Sequence, residues 1–357
     1  MKVFYDHLIF SMQKYGGVSK YFAKLLENIS RNEWIVPLLF SDNEYLKEVD
    51  LPQKTLPGNF KGKERFSVEL GKIYTIISAK TNHFDIYHQT HFDDFLLPFI
   101  KKKKMITTFH DTNFSKFPPK GFFWKNIEQK QRIALTRADK IIAISHNTKA
   151  DLINTFSVDA EKIEVIYHGI DEKLPLTENR IADYPYILYV GTRGTVKNWH
   201  NFISAFSILE KQQKELRVIC TWHPFTPTEM DFLKSLNLHN KVTNLPANEL
   251  TMAQLYRDAE MFVFPSNYEG FGMPILEAML YDCPVVLSNT SCFPEIAQNA
   301  GLYFDPQKID DMAEKMLLIA TESELRNQKI NLGKERITHF SWKKCAVEHL
   351  KVYNSLV

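Results

Sequence analysis

The sequence predicts an α/β protein with two doubly wound domains that face each other across a cleft. Short apolar runs alternate with longer segments of helical periodicity along almost all of the 357 residues. This alternation is typical of parallel sheets that are covered by helices on both faces. The runs form two series, separated by a polar stretch without strong periodicity at residues 171–179. Hydrophobic residues make up 44% of the chain, which is enough for two packed cores.

The apolar runs predict the strands in order. The first series lies at residues 2–5, 34–39, 86–88, 105–109, 140–144 and 164–167. The second series lies at residues 186–190, 216–220, 241–245, 261–264 and 284–287. Helical periodicity predicts helices that include residues 21–29, 202–212, 252–259, 309–320 and 341–357, the last with Ser341 as its N-cap. We therefore predict a first domain over residues 1–174, a second over 175–340, and a closing helix over 341–357.

Composition and charge restrict the class of function. A formal net charge of +2 is too small to indicate binding to nucleic acid. The four cysteines are scattered without metal-ligand spacing, as is typical of a reduced cytoplasmic chain. No apolar run approaches the roughly 20 residues that span a bilayer, and the amino terminus turns polar too early for a signal peptide. We therefore expect a cytoplasmic protein that is soluble or bound to a membrane surface without crossing it.

The most informative segment is residues 265–279, which follows the predicted strand at 261–264. Gly272 allows the backbone to approach a ligand closely, and Pro274 can open a helix at its first position. A helix N-terminus after a glycine loop accepts anions, and Glu269 and Glu277 flank it. This combination suits a ligand with both phosphates and hydroxyls, such as a nucleotide sugar. The alternative is that Glu269 and Glu277 have no ligand and only stabilise the helix by complementing its dipole.

Two further clusters lie at predicted strand ends in the first domain. Gly16 and Gly17 precede the first predicted helix, where backbone amides can approach a phosphate, although a flexible turn explains the pair equally well. His110 and Asp111 end a predicted strand and could hydrogen-bond a sugar hydroxyl or move a proton, although a lone histidine is more often structural. No serine or cysteine nucleophile motif follows, which argues against a hydrolase.

A cationic loop follows the first strand of the second series. Arg193 and Lys197 lie beside Gly194, and a guanidinium fork with an ammonium point charge can clamp a diphosphate. The chain contains no G-x-G-x-x-G, no P-loop and no D-x-D motif. We therefore expect no metal and no cofactor, with the two cations stabilising a diphosphate that leaves.

Together these residues resemble the family 4 retaining glycosyltransferases of GT-B fold. The Glu-x7-Glu pair of Glu269 and Glu277, with Glu-Gly-Phe-Gly-Met-Pro at its start, is the most specific match. Other matching pieces lie at residues 15–22, 110–111, 142–149, 166–171, 189–198 and 288–290, so that the resemblance covers nearly the whole chain. It implies two Rossmann-like domains, the first on the acceptor side and the second binding the nucleotide sugar.

The resemblance also implies roles for single residues. Glu269 is similar to the acid that contacts the donor sugar, and Glu277 to the one that holds the ribose. His110 corresponds to a histidine that touches the donor sugar, and Arg193 and Lys197 to the diphosphate-binding pair. Further donor contacts would come from Gly16, Gly17, Phe271, Gly272, Met273 and Pro274.

One departure from the family pattern concerns the cationic loop. Many relatives place the arginine directly after the strand's glycine, whereas Thr192 separates Gly191 from Arg193 here. A sub-branch with the pattern G-x-R-x-x-x-K-N is similar, so the implied role of Arg193 is kept.

The implied reaction is metal-independent transfer of a mannose- or glucose-like hexosyl group, with retention, from a GDP- or UDP-linked donor. The acceptor would be a glycan or lipid-linked glycan in bacterial O-antigen or capsule assembly. Lysines and aromatic residues at 101–104 and 116–125 predict peripheral contact with the anionic cytoplasmic face of the inner membrane, although solvated lysines over packed aromatics explain them too. The rival functions are a non-catalytic nucleotide-sugar-binding subunit, a nucleotide-sugar epimerase and a phosphorylase.

Overall fold

The structure is a computed structural model that describes residues 1–49, 51, 54–58, 60–100, 102–117 and 122–357. The chain divides into two compact units, the first formed by Met1–Gly169 with Ser341–Val357 and the second by Ile170–Phe340. The sequence predicts the boundary after residue 174, whereas the structure groups residues 170–174 with the second unit. There the backbone N–H of Leu174 donates to the Tyr281 hydroxyl over 3.0 Å.

The first unit contains a parallel sheet of six described strands in the order β2-β1-β3-β4-β5-β6. Its strands are β1 Val3–Tyr5, β2 Trp34–Ile35, β3 Ile86–Gln89, β4 Lys104–Phe109, β5 Lys140–Ala143 and β6 Ile163–Val165. Its helices before the second unit are α1 Leu8–Met12, α2 Gly17–Glu27, α3 Lys63–Thr81, α4 Asn113–Lys116, α5 Phe122–Arg137 and α6 His146–Phe156. The sequence locates all six strands but extends the second too far, since the run at 34–39 forms only a two-residue strand.

The second unit contains a parallel sheet of six described strands in the order β12-β11-β10-β7-β8-β9. Its strands are β7 Tyr186–Tyr189, β8 Arg217–Cys220, β9 Val242–Asn244, β10 Met261–Phe264, β11 Val285–Ser288 and β12 Gly301–Phe304. Its helices are α7 Trp199–Leu209, α8 Pro227–Ser235, α9 Glu249–Asp258, α10 Met273–Leu280, α11 Phe293–Ala297, α12 Ile309–Thr321 and α13 Ser323–Ile337. The strand order reverses between β7 and β10, which is where doubly wound sheets bind ligands.

Strand β12 is missing from the sequence prediction. It lies at the edge of its sheet and pairs with β11 alone among the described strands. Two of its four residues are only half-buried, and it begins with a glycine. A half-buried edge strand therefore lacks the continuous apolar run that identifies the central strands.

The last helix, α14 Trp342–Asn354, belongs to the first unit. Ser341 is its N-cap, with a side chain that accepts from the Lys344 N–H, as the sequence predicts. The helix begins against Gly169, where an added Cβ would lie 2.0 Å from the backbone nitrogen of Trp342. Glycine at position 169 therefore allows two backbone segments of the first unit to touch.

The described helices include none that is both long and apolar enough to cross a bilayer. The two lysine-rich stretches that the sequence assigns to a membrane surface lie partly outside the described residues, because residues 101 and 118–121 do.

Candidate functional site

In the second unit, two loops meet at the point where the strand order reverses. The loop after β7 begins at Gly191, whose φ of +125° suits glycine. It continues into a 3₁₀ turn at Thr195–Lys197. In the loop after β10, the backbone N–H of Asn267 donates to the Val196 carbonyl over 2.8 Å. This bond fixes the register between the two loops and so brings their side chains together.

The side chains that the two loops bring together are Lys197 and Glu269. Lys197 Nζ donates to Glu269 Oε1. The same ammonium lies 5.5 Å from the ring centroid of Phe264. The two side chains are 27% and 18% exposed, so a ligand from solvent can reach them. An arriving phosphate could therefore compete with Glu269 for the lysine.

The backbone of Glu269 is held by a serine that the sequence reasoning did not single out. Ser291 Oγ accepts from the Glu269 N–H over 3.1 Å and donates to the Glu269 carbonyl over 2.5 Å. Cys292 Sγ lies 3.3 Å from the same carbonyl and donates to it. These contacts fix the residue from its backbone side. Ser291 follows the strand next to β10, and its own sequence context carries no motif that reveals this role.

The segment between the two acids forms the start of helix α10. Gly272 precedes the helix with φ +92°, a left-handed conformation that strains other residues. Met273 and Pro274 are the first two helical residues, so proline takes the second position and not the predicted first. The first N–H groups of a helix have no partner within it, and the dipole makes this end attractive to anions.

Two buried aromatic residues hold the ends of this segment. Glu277 Oε2 accepts from the Tyr256 hydroxyl over 3.1 Å, which fixes the second acid of the pair. The Phe271 ring is 3% exposed and lies edge-on to Phe340, with 6.0 Å between the ring centroids. Phe271 therefore offers its backbone, and little of its side chain, to a ligand.

Arg193 is more buried than its predicted role in a phosphate clamp suggests, since its side chain is only 4% exposed. Its Nε donates to Glu229 over 2.9 Å, and its Nη2 donates to the carbonyls of His223 and Pro224 over 2.7 and 2.8 Å. The guanidinium also lies over the Phe225 ring. Nη1 is buried without a hydrogen-bond partner in the described part of the chain. Arg193 thus braces the loop after β8.

In the first unit, the predicted glycine pair lies at the start of helix α2. Gly16 is the N-cap residue and Gly17 is the first helical residue. The Ser19 N–H already donates to the side-chain oxygen of Gln13 over 3.2 Å. One of the helix's first N–H groups is therefore occupied, and an added Cβ on Gly17 would meet no atom within 4 Å.

His110 follows strand β4 and lies half-buried in a cluster of aromatic rings. Burial, with His349 as a smaller cause, lowers the pKa of His110 to about 3. Its Nε2 is buried and has no hydrogen-bond partner among the described residues. Its ring lies edge-on to Tyr21, with 5.0 Å between the centroids. At neutral pH His110 is therefore an uncharged imidazole that can exchange a hydrogen bond but offers no positive charge.

The ring cluster around His110 contains a chain of hydrogen bonds whose direction can be assigned. His349 Nδ1 lies 2.7 Å from the Cys345 carbonyl, which can only accept, so Nδ1 carries the hydrogen. The neutral His349 Nε2 then accepts from the Tyr21 hydroxyl over 2.5 Å. Because Tyr21 has given its one hydrogen, its oxygen accepts from the Thr108 hydroxyl over 3.2 Å.

The same logic continues to the other end of the chain. Thr108 has donated, so its oxygen accepts from His88 Nε2 over 2.8 Å. His88 Nδ1 must then accept from the Tyr353 hydroxyl over 2.7 Å, and Tyr353 accepts from Tyr5 over 2.8 Å. Burial lowers the pKa of His88 well below its ordinary value, in agreement with a neutral ring. This buried chain joins β1, β3, β4 and α2 to helix α14, and the sequence reasoning did not find it.

Removal of the Tyr21 hydroxyl should destabilise the first unit. Tyr21→Phe leaves His349 Nε2 without a donor and the Thr108 hydroxyl hydrogen without its acceptor in a buried site, which costs about 2 kcal/mol of unfolding free energy. Urea denaturation followed by circular dichroism measures the change. Tyr74→Phe is the matched control, because the Tyr74 side chain is exposed, and it should leave the midpoint unchanged. Equal midpoints for Tyr21→Phe and wild type would show that the hydroxyl contributes nothing.

The buried histidines should make the protein less stable in acid. Burial lowers the pKa of His349 to about 4, whereas an unfolded histidine titrates near its ordinary value of about 6.5. Between these two pH values the unfolded chain binds more protons than the folded protein. The free energy of unfolding therefore falls as the pH is lowered from 6.5 to 4, by about 1 kcal/mol per pH unit for each such histidine. His349→Asn should flatten this slope in urea titrations. His83→Asn should not, because His83 is 86% exposed.

The described residues include no group of three His, Cys, Asp or Glu side chains that could hold a metal ion. The loop after β7 itself carries two cations, Lys197, which is partly exposed, and Arg193, which is nearly buried. Positive charge for an anionic ligand can therefore come from side chains at this site.

Family models and curated relatives match most of the chain. The model described as "Glycosyltransferase Family 4" matches residues 15–174, and that described as "Glycosyl transferases group 1" matches residues 172–336. An O-antigen chain mannosyltransferase B of Escherichia coli is 29% identical over 291 residues, which cover 76% of this chain and 74% of that protein. The O-antigen chain mannosyltransferase RfbU of Salmonella typhimurium is 31% identical over 178 residues, 49% of each chain.

A solved structure shows the same fold. The crystal structure of Anabaena Alr3699/HepE in complex with UDP and glucose superposes with a TM-score of 0.78 at 18% identity, covering 99% of this chain and 100% of that one. The predicted fold class, two Rossmann-like α/β domains of the GT-B type, is confirmed. With two family models that together span residues 15–336, this chain belongs to the family 4 glycosyltransferases.

Proposed function

We propose that this glycosyltransferase moves a mannose- or glucose-like hexosyl group from a GDP- or UDP-linked donor to a glycan acceptor. The acceptor is a glycan or lipid-linked glycan in the assembly of a bacterial surface polysaccharide, O-antigen or capsule, at the cytoplasmic face of the inner membrane. The Lys197–Glu269 pair carries the proposal, because the loops after β7 and β10 hold it at the reversal of the strand order. The names of the Escherichia coli and Salmonella relatives support mannose and O-antigen. The UDP and glucose of the Anabaena structure support a nucleotide-sugar donor.

The proposed division of labour follows the chemistry of each side chain. Lys197 leaves Glu269 and binds the diphosphate, whose charge grows as the bond to the sugar breaks. Arg193 Nη1 and the N-terminus of α10 add to this stabilisation without a metal. Glu269 accepts hydrogen bonds from the donor sugar, and Glu277 does so from the ribose. The neutral His110 exchanges a hydrogen bond with a sugar hydroxyl.

The proposed step retains the configuration at the anomeric carbon. The bond from the carbon to the donor phosphate breaks, and a bond to the acceptor oxygen forms on the same face of the sugar. The acceptor proton passes to the leaving diphosphate, so no enzyme nucleophile is required. Glu269 thus stabilises charge on the donor and does not attack it, in contrast to the nucleophile of a retaining glycosidase.

A donor screen with the purified chain tests this function. Thermal unfolding is measured with GDP-mannose, UDP-glucose and other nucleotide sugars, and the true donor should raise the midpoint, because a ligand at a hundred times its Kd adds about 2.7 kcal/mol. Sugar transfer to glycolipid extracted from bacterial membranes is then measured with that donor, and the anomeric configuration of the product is read by NMR.

Each rival function gives a different result in the same assay. An epimerase changes the donor sugar without acceptor, and a phosphorylase requires inorganic phosphate. A non-catalytic subunit binds the donor but gives no product with any acceptor fraction. Product with the inverted configuration would overturn the same-face step.

A further inference from the structure

Helix α3 exposes its large apolar side chains and buries small ones, the reverse of an ordinary surface helix. Its fully buried residues are Gly71, Thr75 and Ser78. Its large side chains with about half of their area in solvent are Phe66 at 50%, Ile73 at 57%, Tyr74 at 43% and Ile77 at 53%. A surface helix normally packs its apolar side chains against its own domain. The exposed apolar side chains of α3 therefore indicate a surface that contacts another partner.

The buried face of α3 is fixed by a histidine, which sets the rotation of the helix. His7 Nε2 lies 3.2 Å from the Val68 carbonyl, and His7 Nδ1 lies 2.8 Å from Thr75 Oγ1. An added Cβ on Gly71 would lie 2.4 Å from His7 Nε2, so the helix approaches the ring closely. Ile76 packs at the edge of this face against the core of the sheet. The helix therefore cannot turn its apolar stripe inward without breaking these bonds.

The exposed residues form a continuous line. Phe66, Ile73 and Ile77 lie at helical spacing on one face and span about 17 Å at 1.5 Å per residue. The Phe60 ring, 47% exposed, extends the line before the helix and lies 6.1 Å from the Phe66 ring. Phe99 is 44% exposed beyond the other end, with Lys80 Nζ 4.8 Å from its ring. We define the apolar stripe as Phe60, Phe66, Ile73, Tyr74, Ile77 and Phe99.

The charges beside the apolar stripe are mainly positive. Residues 60–82 carry five basic and two acidic side chains, a net charge of +3, whereas the whole chain carries +2. The basic residues are Lys61, Lys63, Arg65, Lys72 and Lys80, of which Lys72 is paired with Glu69 and Asp93 and leaves the other four for a surface contact. Aromatic and aliphatic side chains on one face of a cationic helix are typical of helices that lie in the interface of an anionic bilayer.

We propose that the apolar stripe of α3 docks this protein on an anionic lipid bilayer, with the basic side chains on the lipid headgroups. A second copy of the chain is a poorer occupant, because two such faces would bring two charges of +3 together. The proposal extends the proposed function, on which it rests, since a lipid-linked acceptor would lie at such a surface. It does not depend on the lysine-rich stretches at residues 101–104 and 116–125.

Flotation with vesicles tests the proposal on the full chain. The vesicles contain phosphatidylcholine alone or phosphatidylcholine with one-third phosphatidylglycerol. Wild type should float with the anionic vesicles, and less so with the neutral ones or at high salt. Ile73→Gln/Ile77→Gln should lower the partition coefficient about tenfold or more through lost apolar contact. Lys63→Gln/Lys80→Gln should lower it by about 25-fold, at roughly fivefold for each of the two charges.

Val347→Gln is the matched control, since Val347 is 48% exposed on helix α14 and outside the apolar stripe. It should float like wild type. All variants should unfold at the wild-type midpoint, which shows that the fold is intact. The nucleotide sugar should raise that midpoint as much as in wild type, which shows that donor binding is intact and that only docking is lost. Wild type that stays with the unbound fraction, or Ile73→Gln/Ile77→Gln that floats like wild type, would overturn the proposal. So would light scattering that shows a wild-type dimer and a monomeric Ile73→Gln/Ile77→Gln variant.

Discussion

Glu269→Gln is expected to lower kcat by about a hundredfold or more, because it removes the carboxylate that pairs with Lys197. The amide keeps the size of the side chain but cannot balance the ammonium or accept hydrogen bonds as strongly. The Ser291 contacts involve only backbone atoms of Glu269, so the loop should keep its conformation. Initial rates with the donor found in the screen measure the effect on kcat and KM.

Two other acids make the Glu269 experiment specific. Glu314→Gln changes an exposed carboxylate on helix α12 and should leave the kinetics unchanged. Glu277→Gln should mainly raise KM for the donor, because the proposed ribose contact would be present in both the ground state and the transition state. If Glu269→Gln kept the wild-type kcat, the assignment of this residue to the donor sugar would be wrong.

Gly169→Ala is expected to destabilise the first unit by about 3 kcal/mol. The new Cβ would lie 2.0 Å from the Trp342 nitrogen and 2.5 Å from the Ser341 carbonyl carbon. Both contacts are with backbone, so no side-chain rotation relieves them, and the start of helix α14 must move. Differential scanning calorimetry should show a midpoint lower by about 5 to 10 °C.

Gly17→Ala is the control for this stability effect. No atom lies within 4 Å of an added Cβ at Gly17, and the residue is the first of helix α2, where alanine is favourable. Its midpoint should equal or exceed that of wild type. An unchanged midpoint for Gly169→Ala would mean that α14 contributes little to the stability of the first unit.

The central strands and the loops at their ends could be predicted from the sequence for a physical reason. Buried parallel strands are continuous apolar runs, and the chemistry-bearing residues follow them directly. Lys197 and Glu269 lie 72 positions apart, yet each follows a central strand, and parallel strands end at the same edge of a sheet. The edge strand β12 lacks such a run and was missed for that reason.

The supporting contacts could not be predicted, because they depend on partners that no local pattern identifies. Tyr21 and His349 lie 328 positions apart, and their bond exists only because α14 packs in the first unit. Arg193 follows the expected motif, but its burial comes from Glu229 and the carbonyls of another loop. A motif indicates the type of group at a site, whereas its exposure depends on tertiary packing.

The position of helix α14 in the first unit has a consequence during synthesis on the ribosome. The second unit, Ile170–Phe340, is a continuous segment and is complete in sequence before α14 is translated. Until then the first unit lacks His349 and Tyr353, so Tyr5, Tyr21 and His88 have no partners from α14. The segment translated after the second unit therefore supplies the last hydrogen-bond partners of the first unit and completes it.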